Sequence, residues 1–130
     1  MADTLFLIFN HQLTREQEAD ASAALGVKRI IELPADLQEL WGNIPPDLPA
    51  LNDYLWPLRE WLLSRAAPGD YVLIQGDFGA CCILVSFSIA KGYLPIYSTT
   101  RRVASEEMQS DGRIRLVHHF EHRIFRRYGL

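Results

Sequence analysis

The chain has 130 residues, of which 48% are hydrophobic and 22% are charged, and its formal net charge is −3. These values are ordinary for a globular protein and fit one domain over residues 1–130 with its own core. No apolar stretch is long enough to span a bilayer, and an acidic chain lacks the charge pattern of a general DNA-binding protein. Neither a membrane nor DNA is therefore expected as a partner.

Two features favour a cytoplasmic location. Met1-Ala2-Asp3 has no basic region before an apolar one, so a secretory signal is not expected. The two cysteines, Cys81 and Cys82, are adjacent in an apolar run, where buried thiols are expected rather than a disulfide or a metal pair.

The charge is unevenly spread along the chain. From Arg101 to the C-terminus, seven arginines accompany four acidic residues, a net charge of +3, so the first hundred residues carry −6. A basic C-terminal third on an acidic protein indicates an anionic ligand or the acidic face of a partner.

The first third of the chain predicts a strand, a helix and a second strand. Residues 4–9 are a continuous apolar run, which is typical of a buried strand. Thr14 and Gln17 have the spacing of a capping box, which predicts a helix that ends at Gly26. Residues 28–33 predict the second strand.

The middle of the chain predicts two helical regions. Asp36–Glu39 has the pattern of a second capping box and predicts a short helix through Trp41. Leucines at spacings of four, three and four between Leu51 and Leu62 predict an amphipathic helix. Pro57 interrupts this pattern, so we expect a kink there or a second helix with Pro57 at its first position.

The remaining pattern predicts two strands, a helix and a hairpin. Residues 71–74 and 94–97 read as buried strands, and residues 80–90, apolar nearly all round, predict a buried helix between them. Asp111-Gly112 is a hairpin turn signal within residues 101–130. The whole alternation predicts an α/β, Rossmann-like fold with a mainly parallel sheet, flanking helices and a C-terminal β-hairpin extension.

Polar clusters follow three of the predicted strands: Asn10-His11, Gln75-Gly76-Asp77 and Ser98-Thr99-Thr100-Arg101. Ligands of parallel α/β sheets bind outside the carboxyl ends of the strands, so we expect these clusters to share one edge. Hydroxyl groups, backbone N–H groups and guanidinium forks hold phosphate oxygens. The pattern therefore indicates an anionic ligand, most simply a phosphate.

Each cluster also has a plainer interpretation. The segment from Gln75 to Ala80 is either a glycine-rich turn or a place where backbone approaches a ligand. Asp77 either caps the following helix or accepts a hydrogen bond from a ribose hydroxyl or a base amine. His11 is either a loop histidine or a phosphate ligand or proton-transfer group. The C-terminal arginines and aromatic residues either stack on nucleobases or form an oligomer contact.

No metal site or cofactor is expected. His118, His119 and His122 lack a second set of partners at zinc spacing, and the cysteines lie in the apolar helix. Walker loops, nucleophile elbows and Cys/His nucleophile patterns are also absent from the sequence.

Four segments resemble a small family of CRISPR-associated proteins. They are Leu5–His11, Leu40–Pro46, Gly69–Gly79 and Ile96–Arg101. The family consists of single-domain proteins related to CARF domains, the CRISPR-associated Rossmann fold, which accompany type III CRISPR systems and are regarded as ring nucleases. The resemblance covers essentially the whole chain.

The resemblance implies a homodimer that binds cyclic tetra-adenylate in a basic cleft across its two-fold axis. It further implies metal-independent cleavage of this second messenger to linear di-adenylate, which switches off the antiviral response. In CARF-type sites the loops after the first and fourth strands contribute most, and here they carry Asn10-His11 and Ser98–Arg101.

The expected roles follow from attack by a ribose 2′-hydroxyl on the adjacent phosphate, which needs positioning and charge stabilisation. Three residues are candidates for catalysis: Arg101 to stabilise the developing negative charge, and His11 or Glu106 to transfer a proton. The residues expected to contact the ligand are Asn10, Gln75, Gly76, Asp77, Phe78, Ser98, Thr99, Thr100 and Arg102. Two alternatives stay open: a protein that sequesters cyclic oligoadenylate without cutting it, and a protein-interaction subunit.

Overall fold

Pairing of five strands organises the chain in a computed structural model, which describes residues 3–130. Met1 and Ala2, which contributed to the expectation about a secretory signal, lie outside the described residues. In chain order the elements are β1 (Thr4–Ile8), α1 (Arg15–Leu25), β2 (Arg29–Ile31), α2 (Ala35–Gly42), α3 (Trp56–Arg65), β3 (Tyr71–Ile74), α4 (Phe78–Ala90), β4 (Leu94–Met108) and β5 (Ile114–Arg127).

The strands form one sheet in the order β2-β1-β3-β4-β5. Strands β1 to β4 are parallel and β5 is antiparallel to β4. The predicted α/β fold, with a mainly parallel sheet and a C-terminal hairpin, is confirmed. Strands β2 and β3 flank β1 on its two edges, so the strand order reverses there. The topological switch point therefore falls between β1 and β3.

The core has two parts because strand side chains alternate between the two faces of the sheet. Phe6 and Ile8 of β1 pack with helices α2, α3 and α4, whereas Leu5 and Leu7 pack with helix α1. All four side chains are almost fully buried. Helix α1 therefore covers one face, and the other three helices cover the opposite face.

Helix α1 has the ends that the sequence predicts. The Thr14 hydroxyl accepts a hydrogen bond from the Gln17 N–H at 3.2 Å, and the Thr14 N–H donates to Gln17 Oε1 at 2.9 Å. Gly26 adopts a left-handed conformation with φ of 69°. The capping box and the glycine terminus are both confirmed.

The second predicted capping box is wrong. Helix α2 begins at Ala35, with Pro34 rather than Asp36 at the N-cap, and no side chain caps it. The Gln38 amide instead donates to the carbonyl of Leu33 at 2.8 Å. A proline just before the helix fixes the entry of the chain, so no polar cap is needed to set it.

Helix α3 settles the alternatives left open at Pro57. Turns precede Trp56, and the helix then begins there, with the proline in its first turn. Proline is tolerated in this position because the first N–H groups of a helix have no partner within the helix.

The predicted end of the fourth strand at Tyr97 is also wrong, because β4 continues to Met108. Its pairing with β5 runs from Ile96 opposite Arg127 to Met108 opposite Ile114, which supplies backbone partners for the polar residues. A bulge at Thr99 interrupts the register. The Asp-Gly turn is confirmed, since the chain turns between the two strands at Asp111 and Gly112.

Helix α4 confirms the predicted helix but not the burial of both cysteines. Ala80, Cys81 and Leu84 are buried, whereas Cys82 is exposed and Ile89 largely so. Both thiols are free. Among residues 3–130, no helix has the length and apolar character needed to cross a membrane.

Candidate functional site

The ends of β1 and β3 and the middle of β4 lie side by side at one edge of the sheet, which we call the carboxyl edge. Ile8 pairs with Ile74, and Leu73 pairs with Ile96, so Gln75 is level with Ser98. The Ser98 N–H donates to Gln75 Oε1 at 2.8 Å. Because this bond occupies the amide oxygen, the Gln75 side-chain amine is left to donate to a ligand.

Gly76 is required by the packing of Trp41. A Cβ atom at Gly76 would lie 2.9 Å from the Trp41 indole, and the indole N–H donates to the Gln75 carbonyl at 2.9 Å. The sequence interpretation took this glycine as room for a ligand, but the space beside it is occupied by the Trp41 ring. Trp41 fixes the loop that carries Gln75.

Asp77 takes the capping role that was one of its two alternatives. Its carboxylate accepts a hydrogen bond from the Ala80 N–H at 3.0 Å, and helix α4 begins at Phe78. The helix N-terminus thus faces the carboxyl edge, with the N–H groups of Phe78 and Gly79 outside this cap bond.

A cavity of about 630 Å³ opens beside this loop, on the helix α4 side of the sheet. We call it the aromatic cavity because Tyr97, Tyr128 and Phe78 contribute to its walls. Phe78 is 94% exposed, an unusual position for a large apolar side chain. The remaining lining residues are Gln75, Gly76, Cys81, Cys82, Val85 and Ser86.

Two titratable side chains in the wall of the aromatic cavity, Cys81 and Tyr128, have raised pKa values. Burial raises the pKa of the Cys81 thiol, which keeps it protonated and a weak nucleophile. Burial, with Cys81 as a smaller cause, raises the pKa of Tyr128 to about 12. The Tyr128 hydroxyl donates to the Ile74 carbonyl at 2.5 Å. The cavity is therefore suited to holding a flat, uncharged group.

A cation borders the aromatic cavity. The Arg126 guanidinium donates to the Tyr97 hydroxyl at 2.9 Å and lies 5.6 Å from the centre of the Tyr97 ring. Tyr97 in turn lies 4.8 Å from the Tyr128 ring. An anionic group attached to a flat ring in the cavity would find Arg126 at this border.

Alternation along β4 divides the predicted site residues between the two faces of the sheet. Ser98 bonds to helix α1, so Thr100, Arg102 and Glu106 face the same side. Tyr97 and Arg101 face the side of the aromatic cavity. Consecutive residues of one strand cannot all contact a single ligand, so the polar cluster 98–102 does not form one site.

The proposed catalytic residues do not lie close together within a single chain. The exposed Arg101 side chain forms a long ion pair of 3.9 Å with Glu121, which lies opposite it on β5. Glu106 is eight residues beyond Ser98, roughly 26 Å along the strand. It therefore lies far from the carboxyl edge of its own chain.

Asn10 and His11 follow β1 at the switch point. A Cβ atom on Gly42 would lie 3.0 Å from the Asn10 side-chain amide, so Asn10 packs against the end of helix α2. The exposed His11 ring contacts Phe9, with ring centres 5.2 Å apart. Thr99 is occupied at the bulge, where its hydroxyl accepts from the Ile124 N–H and donates to the Ile124 carbonyl, each at 3.1 Å.

A hydrogen-bonded chain on the helix α1 side was not predicted from the sequence. Ser98 Oγ lies 2.5 Å from His122 Nδ1, and His122 Nε2 lies 2.7 Å from Asp20 Oδ2. Gln17 donates to Ser98 Oγ at 3.3 Å. The His122 side chain is only 5% exposed, so the chain ties α1, β4 and β5 together in a nearly enclosed place.

The clustered histidines of β5 are divided between the two faces of the strand. Across residues 3–130, no set of three or more His, Cys, Asp and Glu side chains is arranged to hold a metal ion. His118 and His119 point to opposite faces of β5, since they pair with successive residues of β4.

Comparison with known proteins places the chain in a family. Residues 3–126 match the family described as the uncharacterized protein MJ1673 family. The chain belongs to this family. A relative from Methanocaldococcus jannaschii, the uncharacterized protein MJ1673, is 50% identical over 125 residues, which cover 96% of each chain. No solved structure matches the chain.

Proposed function

We propose that this protein is a ring nuclease, which binds cyclic tetra-adenylate and cleaves it to linear di-adenylate without a metal ion. The observation that carries the proposal is the aromatic cavity beside Gln75 at the carboxyl edge. A nucleotide needs a flat apolar pocket for its base next to donors for its phosphate, and both lie together here. The resemblance to CARF-related ring nucleases supplies the particular nucleotide.

The aromatic cavity is the place for an adenine. Phe78 at the mouth and Tyr97 in the wall offer stacking surfaces, and stacking accepts any base. The side-chain amide NH2 of Gln75 would donate to an acceptor nitrogen of the adenine ring, since its amide oxygen is taken by Ser98. Cys81 and Tyr128 line the apolar wall as neutral groups.

Phosphate contacts come from the cationic side of β4 and from the loop ends. Arg101 and Arg126 face the side of the aromatic cavity and are exposed, so both are available to an anion. The N–H groups at the start of helix α4 add partial positive charge. Asn10 and His11 follow β1 on the other side of the switch point.

The nucleophile for cleavage is a hydroxyl group of the substrate itself. The ribose 2′-oxygen attacks the adjacent phosphorus and gives up its proton, while the 5′-oxygen leaves and gains one. The products carry a 2′,3′-cyclic phosphate and a 5′-hydroxyl. Arg101 would stabilise the charge on the phosphate and His11 would move a proton. Glu106, far along the hairpin, would reach the reacting atoms only from a second subunit.

A second candidate function is capture of cyclic oligoadenylate without cleavage. The separation of Glu106 from the carboxyl edge favours this function, because it leaves His11 as the single proposed proton-transfer group at that edge of one chain. Sequestration would still lower the concentration of the messenger. The third candidate, a protein-interaction subunit, draws on the exposed hairpin.

One assay tests these candidates. Protein in molar excess is incubated with labelled cyclic tri-, tetra- and hexa-adenylate in the presence of a chelator, and the products are separated. Formation of linear di-adenylate from the tetramer supports the ring nuclease. An intact ring that still raises the melting temperature of the protein identifies a sequestering protein. An intact ring with no such rise contradicts both nucleotide functions.

A further inference from the structure

An arginine of helix α3 is buried without an acidic partner. Arg59 is only 8% exposed. Its guanidinium donates from Nη1 to Asn52 Oδ1 at 3.1 Å and from Nη2 to the Asn52 carbonyl. None of the ion pairs within residues 3–130 involves Arg59. Because both acceptors on Asn52 are neutral, the buried positive charge has no counter-ion, an arrangement that costs free energy.

Arg59 contributes to the wall of a cavity of about 530 Å³, which we call the Arg59 cavity. Its other lining residues are Asn52, Trp56, Cys82, Ile83, Ser86 and Phe87. All of them belong to helix α3, to the loop before it or to helix α4. The cavity adjoins the aromatic cavity, with which it shares Cys82 and Ser86. It is therefore a second cavity, on the side of helix α4 that faces helix α3.

We propose that the Arg59 cavity binds a small carboxylate that carries a flat apolar group. Such a ligand supplies the missing negative charge and fills the apolar part of the cavity. This inference stands apart from the proposed cleavage, because it is argued from residues that lie outside the carboxyl edge.

The guanidinium of Arg59 has hydrogen-bond donors left for the ligand. Two of its five N–H groups bind Asn52, and the Nε–H has no partner among residues 3–130. In that part of the chain, the fully enclosed side-chain atoms without a partner are Trp61 Nε1 and Ser88 Oγ, so Arg59 Nε is not sealed in the core. A carboxylate accepts two parallel hydrogen bonds from the edge of a guanidinium that includes Nε.

The apolar walls favour a flat group attached to that carboxylate. The Trp56 side chain is 48% exposed, and the Arg59 guanidinium lies 5.4 Å from the centre of its ring. Ile83 and Phe87 add apolar surface on helix α4. A ring that lies against Trp56 would gain contact area and an aromatic contact. The volume is within the range of small-molecule sites, roughly 300–1,000 Å³.

The charge of the cavity favours a carboxylate over a phosphate. Of the described residues that line the cavity, Arg59 alone is charged. One guanidinium balances one negative charge, and its open edge matches two oxygens in a plane. A phosphate dianion would bring a second charge and a third oxygen into a place with apolar walls, where an unpaired charge is costly.

A titration with benzoate, followed by nuclear magnetic resonance of the ¹⁵N-labelled full chain, tests the proposal. We expect saturable shifts of the Arg59 Nε–H and Trp56 Nε1–H signals, with a dissociation constant of about 5 mM or lower. Benzamide has the same shape without the charge and should bind at least about tenfold more weakly. Inorganic phosphate should not displace benzoate.

Two substitutions separate charge from geometry. Arg59→Met removes the charge, and Arg59→Lys keeps it but loses the planar fork, so each should weaken benzoate binding at least about tenfold. Arg65→Met, which removes an exposed arginine from the end of the same helix, is the matched control and should leave binding unchanged. Trp56→Ala keeps both hydrogen bonds to Asn52 and should weaken benzoate and benzamide by the same factor. If Arg59→Met does not fold, Arg59→Lys and Trp56→Ala make the comparison.

Four outcomes would overturn the proposal. They are the absence of saturable shifts in the wild-type protein, benzoate that binds no more tightly than benzamide, unchanged affinity in Arg59→Lys, and inorganic phosphate that competes at equal concentration. Shifts centred on Tyr97 and Tyr128 would place benzoate in the aromatic cavity and would also contradict it. No nucleotide is present, so failure here differs from failure of the cleavage assay.

Discussion

Asp20 on helix α1 and His122 on strand β5 are 102 residues apart in sequence, and their side chains lie 2.7 Å apart. The other ring nitrogen of His122 reaches Ser98. Because the Asp20 carboxylate can only accept a hydrogen bond, the His122 Nε2–H donates to it. The base of the hairpin is thereby tied to the body of the domain.

Removing the Asp20 carboxylate, which is hydrogen-bonded to His122, should destabilise the protein. Asp20→Ala leaves the His122 N–H without its acceptor in a nearly enclosed place, which costs about 1–3 kcal/mol of unfolding free energy. Asp20→Asn keeps an acceptor oxygen and should cost less. Urea denaturation followed by circular dichroism measures both.

The control is Glu18→Ala, which removes an exposed carboxylate from the same helix and should change stability by no more than about 0.5 kcal/mol. A double-mutant cycle with His122→Ala isolates the coupling between the two side chains. An Asp20→Ala loss no larger than the Glu18→Ala loss would show that the contact contributes little.

Local patterns in the sequence predicted the elements well. The cap at Thr14 and the end at Gly26 depend on residues within one helix, so spacing alone reveals them. The alternation of strands and helices likewise predicted the sheet, and with it the meeting of Gln75 and Ser98 at one edge.

Long-range pairing is what the sequence did not show. The polar run 98–102 reads as the end of a strand, yet β5 pairs along it and extends β4 to Met108. The partnership of Asp20 with His122 depends on the same pairing, and a lone aspartate on a helix gives no sign of it. The aromatic cavity was missed because Tyr97 lies on β4 and Tyr128 directly follows β5, and only the pairing of these strands brings the two rings together.

The glycine in the loop before helix α4 and the glycine in the first turn of that helix should respond oppositely to alanine. Gly76→Ala places a methyl group 2.9 Å from the Trp41 ring and should cost about 1–3 kcal/mol. Gly79→Ala meets only ordinary contacts in the first turn of helix α4 and should stabilise by up to about 1 kcal/mol. Thermal unfolding of both variants gives the comparison, and equal melting temperatures would contradict the role assigned to Trp41.

Phe78 should matter for binding and not for stability. Its ring is 94% exposed, so Phe78→Ala should shift the unfolding free energy by no more than about 0.5 kcal/mol. If the ring stacks on adenine, the dissociation constant for cyclic tetra-adenylate should rise about tenfold or more, as expected from a stacking energy of about 1–3 kcal/mol. Ile89→Ala, an exposed apolar change on the same helix, is the control. Equal affinity in the two variants would remove Phe78 from the site.

Arg101 is the first residue to replace in a test of cleavage. If Arg101 stabilises the developing charge on the phosphate, Arg101→Ala should lower the single-turnover rate by about a hundredfold or more. Arg115→Ala removes an arginine from the same face of the hairpin, nearer the tip, and should leave the rate unchanged. An unchanged rate in Arg101→Ala would exclude this role.

Tyr128 should make stability depend on pH in the alkaline range. Burial raises its pKa from 10.0 to about 12, so the folded protein keeps the phenol neutral where the unfolded chain ionises it. The contribution is complete below pH 10 and is lost as the pH rises toward 12. Tyr128→Phe removes this dependence and also the hydrogen bond to Ile74, so it starts about 1 kcal/mol less stable at pH 8. The difference between the two proteins in urea midpoint should therefore shrink from pH 10 upward, and a constant difference from pH 8 to 11.5 would contradict the assignment.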